Sequence, residues 1–286
     1  MQKKIGQGGM AELFAARDEH LDRKVAVKFQ LPRAFESTVG FGEMGDGIED
    51  EYFRLGKIPE IRGIPSVLDV GRLGKGCGRR FFVMEFVDGI TMKEWLVAHQ
   101  PVQSVAAVCV IAQLCEILAD LHAGGYVHRD VTPSNVMMQA RGQLSLLDVG
   151  ISLPIGETNF SPCGSPGYAA PEQYDQTARL DQQTDVFPLG AMLFEMMIAE
   201  LPYAGLDLPL DRTARPFPPD FRPEMPENLR ALGLAMVSID PRDRPDGPKE
   251  VLSILRPMLP PLSAPAAPKA TRPDPTAYYR QGLSAS

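Results

Sequence analysis

Two aspartates and an asparagine carry the strongest chemical signal in this chain. His128-Arg129-Asp130-Val131-Thr132-Pro133-Ser134-Asn135 follows a buried-helix pattern and a Gly124-Gly125 stop, so it is expected to be a loop. A carboxylate there can accept the proton of an attacking hydroxyl, and an asparagine five residues later can reach a divalent metal. Eighteen residues beyond Asp130, Leu146-Leu147-Asp148-Val149-Gly150 places a second carboxylate at a strand end. A site with so few protein oxygens suits Mg²⁺, which completes its shell with waters and substrate phosphates. The plain structural alternatives are a turn held by an Arg–Asp contact and an ordinary strand-to-turn ending.

Two further stretches near the N-terminus fit phosphate chemistry. Gly6-Gln7-Gly8-Gly9-Met10-Ala11 sits at a strand-to-strand turn, where missing Cβ atoms let backbone N–H groups approach phosphate oxygens. The same pattern also serves as a simple hairpin. Val25-Ala26-Val27-Lys28 is a strand ending in lysine, either a solvated edge residue or an ammonium turned inward toward phosphates. An inward ammonium needs an anionic partner; Glu51 is the candidate, although Glu49 and Asp50 beside it also read as a solvated acidic face. The literal G-x-G-x-x-G at Gly40–Gly45 has no strand before it and reads as a loop rather than a dinucleotide site.

The elements expected to position these residues change character along the chain. Residues 5–17, 24–30, 66–72 and 80–86 read as strands, with a short helix over 49–58. After Gly89 helices dominate. Ser104 is placed as the cap of a helix through Leu121, apolar nearly all round and therefore buried. Short strands are expected at 136–138 and 144–147, and helices at 184–198, 226–237 and 247–256. The fold class is α+β and bilobal: a β-rich N-lobe over 1–87 and a larger, mainly helical C-lobe over 88–256. Residues 257–286, rich in Pro and Ala, read as a disordered tail.

Composition narrows the function classes. A net charge of −7 over 286 residues gives no reason to expect nucleic acid or an anionic membrane surface as a partner. No uninterrupted apolar run reaches the roughly 18 residues of a membrane span. The four cysteines show no CxxC pair or disulfide framework, so reduced thiols and a cytoplasmic location are expected.

Taken in order, G-x-G-x-x-A, V-A-V-K, Glu51, H-R-D-x-x-x-x-N, D-V-G and Ala170-Pro171-Glu172 resemble the protein-kinase signature set. Gly164 to Glu172 and Thr184-Asp185-Val186-Phe187-Pro188-Leu189-Gly190 resemble bacterial Hanks-type serine/threonine kinases, and the match runs from about residue 4 to 256. The resemblance implies that Gly6, Gly8 and Gly9 cover the phosphates of ATP and that Lys28 contacts them while paired to Glu51. Asp130 is then the catalytic carboxylate, and Asn135 and Asp148 hold Mg²⁺. Met84, Glu85 and Val87 match the gatekeeper and adenine hinge, while Leu13, Ala26 and Met137 match positions that sandwich the purine. Leu55, Val67, His128 and Val149 match a regulatory apolar stack, with Asp185 anchoring His128. Arg244 matches a structural partner of Glu172. The implied activity is transfer of the ATP γ-phosphoryl group to Ser/Thr hydroxyls of proteins in signal transduction, with autophosphorylation. A pseudokinase that binds nucleotide and serves as a scaffold is the alternative.

The pattern also has departures. Thr132 stands where such kinases carry a lysine that contacts the transferring phosphate, and Val149 replaces a phenylalanine. Ala11 replaces the third glycine, and Pro188 is assigned to the first turn of its helix. With five residues before Gly6, the first strand is expected to be clipped, the alternatives being a fragment or a mis-assigned start. Arg129 beside the catalytic carboxylate is the pattern in which a phosphorylated segment is clamped by arginine. Thr158 or Ser161 is the expected autophosphorylation site, with unmodified loop polarity as the alternative. Ser165 is expected to shape the substrate-binding loop, and Cys163 to be an ordinary loop cysteine.

Overall fold

The structure is a computed structural model that describes residues 3–7, 11–31, 56, 58–74, 79–159, 163–205, 213–221 and 224–285. Gly8, Gly9, Glu51, Leu55, Cys77, Ser161, the 40–45 loop and nearly all of the expected 49–58 helix lie outside the described residues. The chain divides into two compact units, Met1–Val87 and Asp88–Ser286.

The first unit is a five-stranded antiparallel sheet in the order β1-β2-β3-β5-β4, built from β1 (Lys3–Gln7), β2 (Ala11–Asp18), β3 (Arg23–Gln30), β4 (Val67–Leu73) and β5 (Arg79–Glu85). Period-two alternation splits its side chains between two faces. One face gathers Phe14, Ala16, Val25, Val27, Phe29, Phe81 and Val83 into an apolar cluster. Phe29 lies edge-on to Phe14 at a centroid distance of 5.6 Å. Arg79 covers that face: its guanidinium lies 5.4 Å from the Phe29 ring centroid and pairs with Glu12 at 2.6 Å.

The second unit is mainly helical. β6 (Ile90–Thr91) leads into α1 (Met92–His99), which Thr91 and Glu94 start with a reciprocal capping box. The helix α2 (Ser104–Ala123) is buried over most of its surface, as its all-round apolarity requires. Its cap is Gln103 rather than Ser104, and no side-chain bond closes that end. Among the described residues α2 alone is long and apolar enough to cross a membrane; 78% of its apolar window is buried inside the unit, as in a core helix. Three small pairings follow: β7 (Tyr126–Val127) with β10 (Leu153–Pro154), β8 (Val136–Met138) with β9 (Leu144–Leu146), and β8 with β6.

The remaining helices are α3 (Gln182–Ile198), α4 (Glu227–Met236) and α5 (Pro248–Leu255). The α3 helix begins two residues earlier than its apolar pattern indicates because Asp181 caps it through Gln182 N–H. Pro188 is therefore inside the helix rather than in its first turn, and it removes the N–H that would pair with the Thr184 carbonyl.

Residues beyond 256 correct the expectation of a disordered tail. The segment folds back on α2 and ends in α6 (Thr276–Arg280), with Ala277, Tyr278 and Tyr279 buried. Trp95 Nε1 donates to the Pro273 carbonyl at 3.0 Å, and Gln113 Nε2 to the Pro275 carbonyl at 3.3 Å. The Tyr278 and Tyr279 hydroxyls both donate to Glu116, at 3.1 and 3.0 Å. Arg280 pairs with Asp274 at 2.7 Å. Gly142 makes room for the segment: it sits at φ +77°, and a Cβ there would run into the Asp274 carbonyl oxygen. Proline-rich composition misleads here because proline loses little backbone entropy on docking, so a few aromatic anchors suffice.

Candidate active site

In the first unit, strand register places the nucleotide candidates together. Leu13 pairs with Lys28, Ala26 with Met84, and Lys28 with Phe82. Paired residues and residues two apart share a face, so Leu13, Ala26, Lys28, Phe82 and Met84 all point away from the phenylalanine cluster. Lys28 Nζ lies 5.9 Å from the centroid of the buried Phe82 ring. Gly6 pairs with Leu13 across a register shift in β1, at the edge of the same sheet. Glu85 and Ser66 tie β5 to the start of β4: Glu85 N–H donates to the Ser66 carbonyl at 3.0 Å, and Ser66 N–H to Glu85 Oε2 at 3.1 Å. Val87 ends this unit and is half-buried.

In the second unit, the β8–β9 hairpin organises the rest. Val136 pairs with Leu146, and one step further Leu147 N–H donates to the Asn135 carbonyl at 2.7 Å. Asn135 and Asp148 therefore emerge from the same open end of the hairpin. Asn135 Nδ2 donates to Asp130 twice, to the carboxylate Oδ2 at 2.7 Å and to the main-chain carbonyl at 2.9 Å. Ser165 Oγ donates to the other carboxylate oxygen, Oδ1, at 2.7 Å. With both oxygens held, the carboxylate has a fixed direction, and its remaining lone pairs can still accept a proton. Met137, half-buried on β8, belongs to the same hairpin.

A buried carboxylate holds this loop from behind. Asp185 receives the main-chain N–H groups of His128 at 2.7 Å and Arg129 at 2.8 Å, and contacts His122 Nε2 at 2.7 Å. Burial alone would raise the Asp185 pKa. The hydrogen bond with His122 and the His128 N–H oppose it, and the carboxyl is held below the usual range. His128 is fully buried, and burial pushes its pKa down despite the nearby carboxylates. Its neutral ring is placed by two contacts: Nε2 with the Leu147 carbonyl at 3.1 Å, and Nδ1 accepting from Asp130 N–H at 3.2 Å. Arg129 and Asp148 both adopt left-handed backbone, at φ 73° and 61°. Such strain costs about 1–3 kcal/mol per residue and persists only where the surroundings over-determine it.

The residues fit a divalent cation shared with a phosphorylated substrate. Asn135 spends its Nδ2 on Asp130, which leaves the amide oxygen as its outward donor atom, and the Asp148 side chain is exposed. Among the described residues no cluster of three or more His, Cys, Asp or Glu forms an all-protein metal cage. Substrate phosphates would have to supply the remaining ligands, as Mg²⁺ sites commonly require.

Residues 1–253 match the protein kinase domain family. The chain belongs to that family. Among curated kinases it is similar to the probable serine/threonine-protein kinase PknB of Lactococcus lactis, 26% identical over 261 residues, which are 88% of this chain and 40% of that protein. Serine/threonine-protein kinase PrkC of Bacillus subtilis is 28% identical over 250 residues, covering 84% of this chain and 37% of the relative. Serine/threonine-protein kinase PknB of Mycobacterium tuberculosis is 31% identical over 261 residues, covering 84% and 39%. The chain spans about two fifths of the length of these curated relatives. Its kinship is with bacterial Hanks-type serine/threonine kinases.

The kinase segment from Asp148 to Glu172 is anchored at its far end by Arg244. The guanidinium pairs two-pronged with Glu172, at 2.7 and 2.8 Å, and donates to the Ser238, Gln183 and Ile239 carbonyls at 2.7, 2.9 and 3.1 Å. It also lies 5.1 Å from the Phe187 ring centroid. Tyr168 OH donates to Glu195 Oε2 at 2.7 Å, and burial raises the pKa of both groups. Thr132, at the position of the missing lysine, is 4% exposed and presents no cation.

Sequence reasoning did not find Asn159, buried within this segment, or Gln173, buried one residue beyond it. Gln173 Nε2 donates to the Arg129 carbonyl at 2.8 Å and the Cys163 carbonyl at 2.9 Å. No spacing rule marks such amides. Their nearest signal is simply that they are polar residues in or beside a kinase activation segment.

Proposed function

We propose that this chain transfers the γ-phosphoryl group of ATP to serine and threonine hydroxyls of proteins, its own included. The observation that carries the reading is the double anchoring of Asp130 by Asn135 and Ser165 at the hairpin end that also bears Asp148. Asp130 orients the acceptor hydroxyl and takes its proton as attack proceeds. Asn135 and Asp148 hold Mg²⁺, which when bound neutralises charge on the transferring group. Lys28 contacts the nucleotide phosphates from the sheet face it shares with Leu13, Ala26 and Met84, with Glu51 as its counter-charge. Gly6, Gly8 and Gly9 cover the phosphates, and Leu13 and Ala26 flank the purine. The Met84–Val87 stretch carries the adenine hinge.

Thr132 favours a slower enzyme rather than an inert one, since one charge-stabilising donor is worth about 10²–10³ in rate. A cytoplasmic location fits ATP as donor and also fits the buried, unpaired thiols of Cys109 and Cys115, which burial holds protonated. The test is incubation with γ-labelled ATP, Mg²⁺ and a generic basic acceptor protein, followed by phosphoamino-acid analysis. Label on phosphoserine and phosphothreonine is expected. Nucleotide binding without transfer would move the chain to the scaffold class.

A further inference from the structure

Arg129 is the residue expected to clamp a phosphorylated activation segment, yet its guanidinium is already engaged. The residue is 4% exposed. Nη2 donates to Asn159 Oδ1 at 2.7 Å and Nη1 to the Ile151 carbonyl at 3.0 Å, and both oxygens are neutral. Asn159 has no exposed surface, and its own Nδ2 donates to the Gln173 carbonyl at 2.6 Å and the Asp175 carbonyl at 3.3 Å. Its backbone N–H donates to the Ala178 carbonyl at 2.9 Å, beside the bridge between Thr158 and Arg179. Gln173 closes the circuit by donating to the Arg129 carbonyl, and its Oε1 accepts from Ala170 N–H at 3.0 Å.

This circuit links the residue next to Asp130 to both ends of the segment that carries Ser165. An added phosphate orders such a segment by giving an arginine oxygens to pair with. Here a buried amide supplies the oxygen and simultaneously ties down two carbonyls. A phosphate would have to displace Asn159 from a fully enclosed place to reach the same guanidinium.

We propose that Asn159 is a positioning residue that occupies Arg129 in the way a phosphorylated side chain otherwise would, making phosphoryl transfer independent of activation-segment phosphorylation. This rests on the kinase reading above. Autophosphorylation at Thr158 or Ser161 then marks the protein without switching it.

The test compares the full chain as purified, the same chain after phosphatase treatment with its mass checked, and the double variant Thr158→Ala/Ser161→Ala. Initial rates on a generic basic acceptor are expected to agree within about twofold. Asn159→Ala is expected to lower kcat by about tenfold or more with KM for ATP unchanged, since misplacement of the loop acts on the reacting geometry. A tenfold loss on dephosphorylation that is regained on rephosphorylation overturns the proposal, and so does an Asn159→Ala variant with wild-type kcat. Should Asn159→Ala not fold, the phosphatase arm alone decides. Wild-type chain inactive in every phosphorylation state sinks the kinase reading instead. Amide exchange then decides the positioning role: residues 163–175 should exchange faster in Asn159→Ala than in unphosphorylated wild type, and equal exchange refutes it.

Discussion

Asn135 grips Asp130 at two points, the carboxylate Oδ2 at 2.7 Å and the main-chain carbonyl at 2.9 Å. One amide thus fixes the direction of the carboxylate proposed as the proton acceptor and leaves its oxygen for the proposed metal. Asn135→Ala should lower kcat about 10- to 100-fold, the usual loss when an orienting partner of a metal site is removed. It should also raise the Mg²⁺ concentration needed for half-maximal rate. Steady-state rates titrated with Mg²⁺ check both, and an unchanged Mg²⁺ dependence counts against the metal role.

The Glu172–Arg244 pair makes a stability prediction. The Arg244 side chain has no exposed surface and Glu172 keeps 10%, so deleting the arginine leaves a carboxylate buried without its fork. Arg244→Ala should cost about 3–5 kcal/mol. Arg244→Lys should recover only part of that, because an ammonium cannot reproduce the two-pronged pair and three carbonyl contacts. Thermal melts of the two variants give the order.

Acid sensitivity follows from His128 and Asp185. The His128 pKa is lowered in the folded chain, so its contribution is full above the unfolded value of about 6.5 and is lost as pH falls toward the folded one. Asp185, also lowered, contributes above its unfolded value of about 3.9 and loses that at more acid pH. Melting temperature should therefore fall as pH drops from 7 toward 5, with the early part of the fall due to His128. His128→Gln should flatten that part. An identical slope in the variant contradicts the assignment.

The C-terminal segment has a built-in reporter. Trp95 is the single tryptophan of the chain; it has no exposed surface, and its Nε1 donates to the Pro273 carbonyl. Truncation after residue 258 should shift its emission to the red and lower the melting temperature, because Tyr278, Tyr279 and Pro273 leave together. Gly142→Ala should reproduce the shift in part. Unchanged emission after truncation would show that the segment does not cover the indole.

The sequence made the catalytic loop, the β8–β9 hairpin and the β2, β3 and β5 strands legible, because short-range spacing encodes them. Residues 136–138 and 144–147 read as strands from the sequence, and the observed pairing of Val136–Met138 with Leu144–Leu146 is what joins Asn135 to Asp148. What was not legible depends on partners distant in sequence. Pro188 appeared harmless until Asp181 proved to be the cap, and the tail appeared disordered because Pro273 and Tyr279 find their partners on α1 and α2. Asn159 belongs to the same class: nothing near it in the chain announces that Arg129 will need its oxygen.

Asp130 is the group proposed to ready the acceptor hydroxyl. The most direct measurement is the single-turnover rate of γ-phosphoryl transfer by wild type and Asp130→Asn at saturating ATP and Mg²⁺. A loss of about 10²–10⁴-fold in the variant is predicted, with ATP affinity retained. Equal rates in the two proteins would contradict the account.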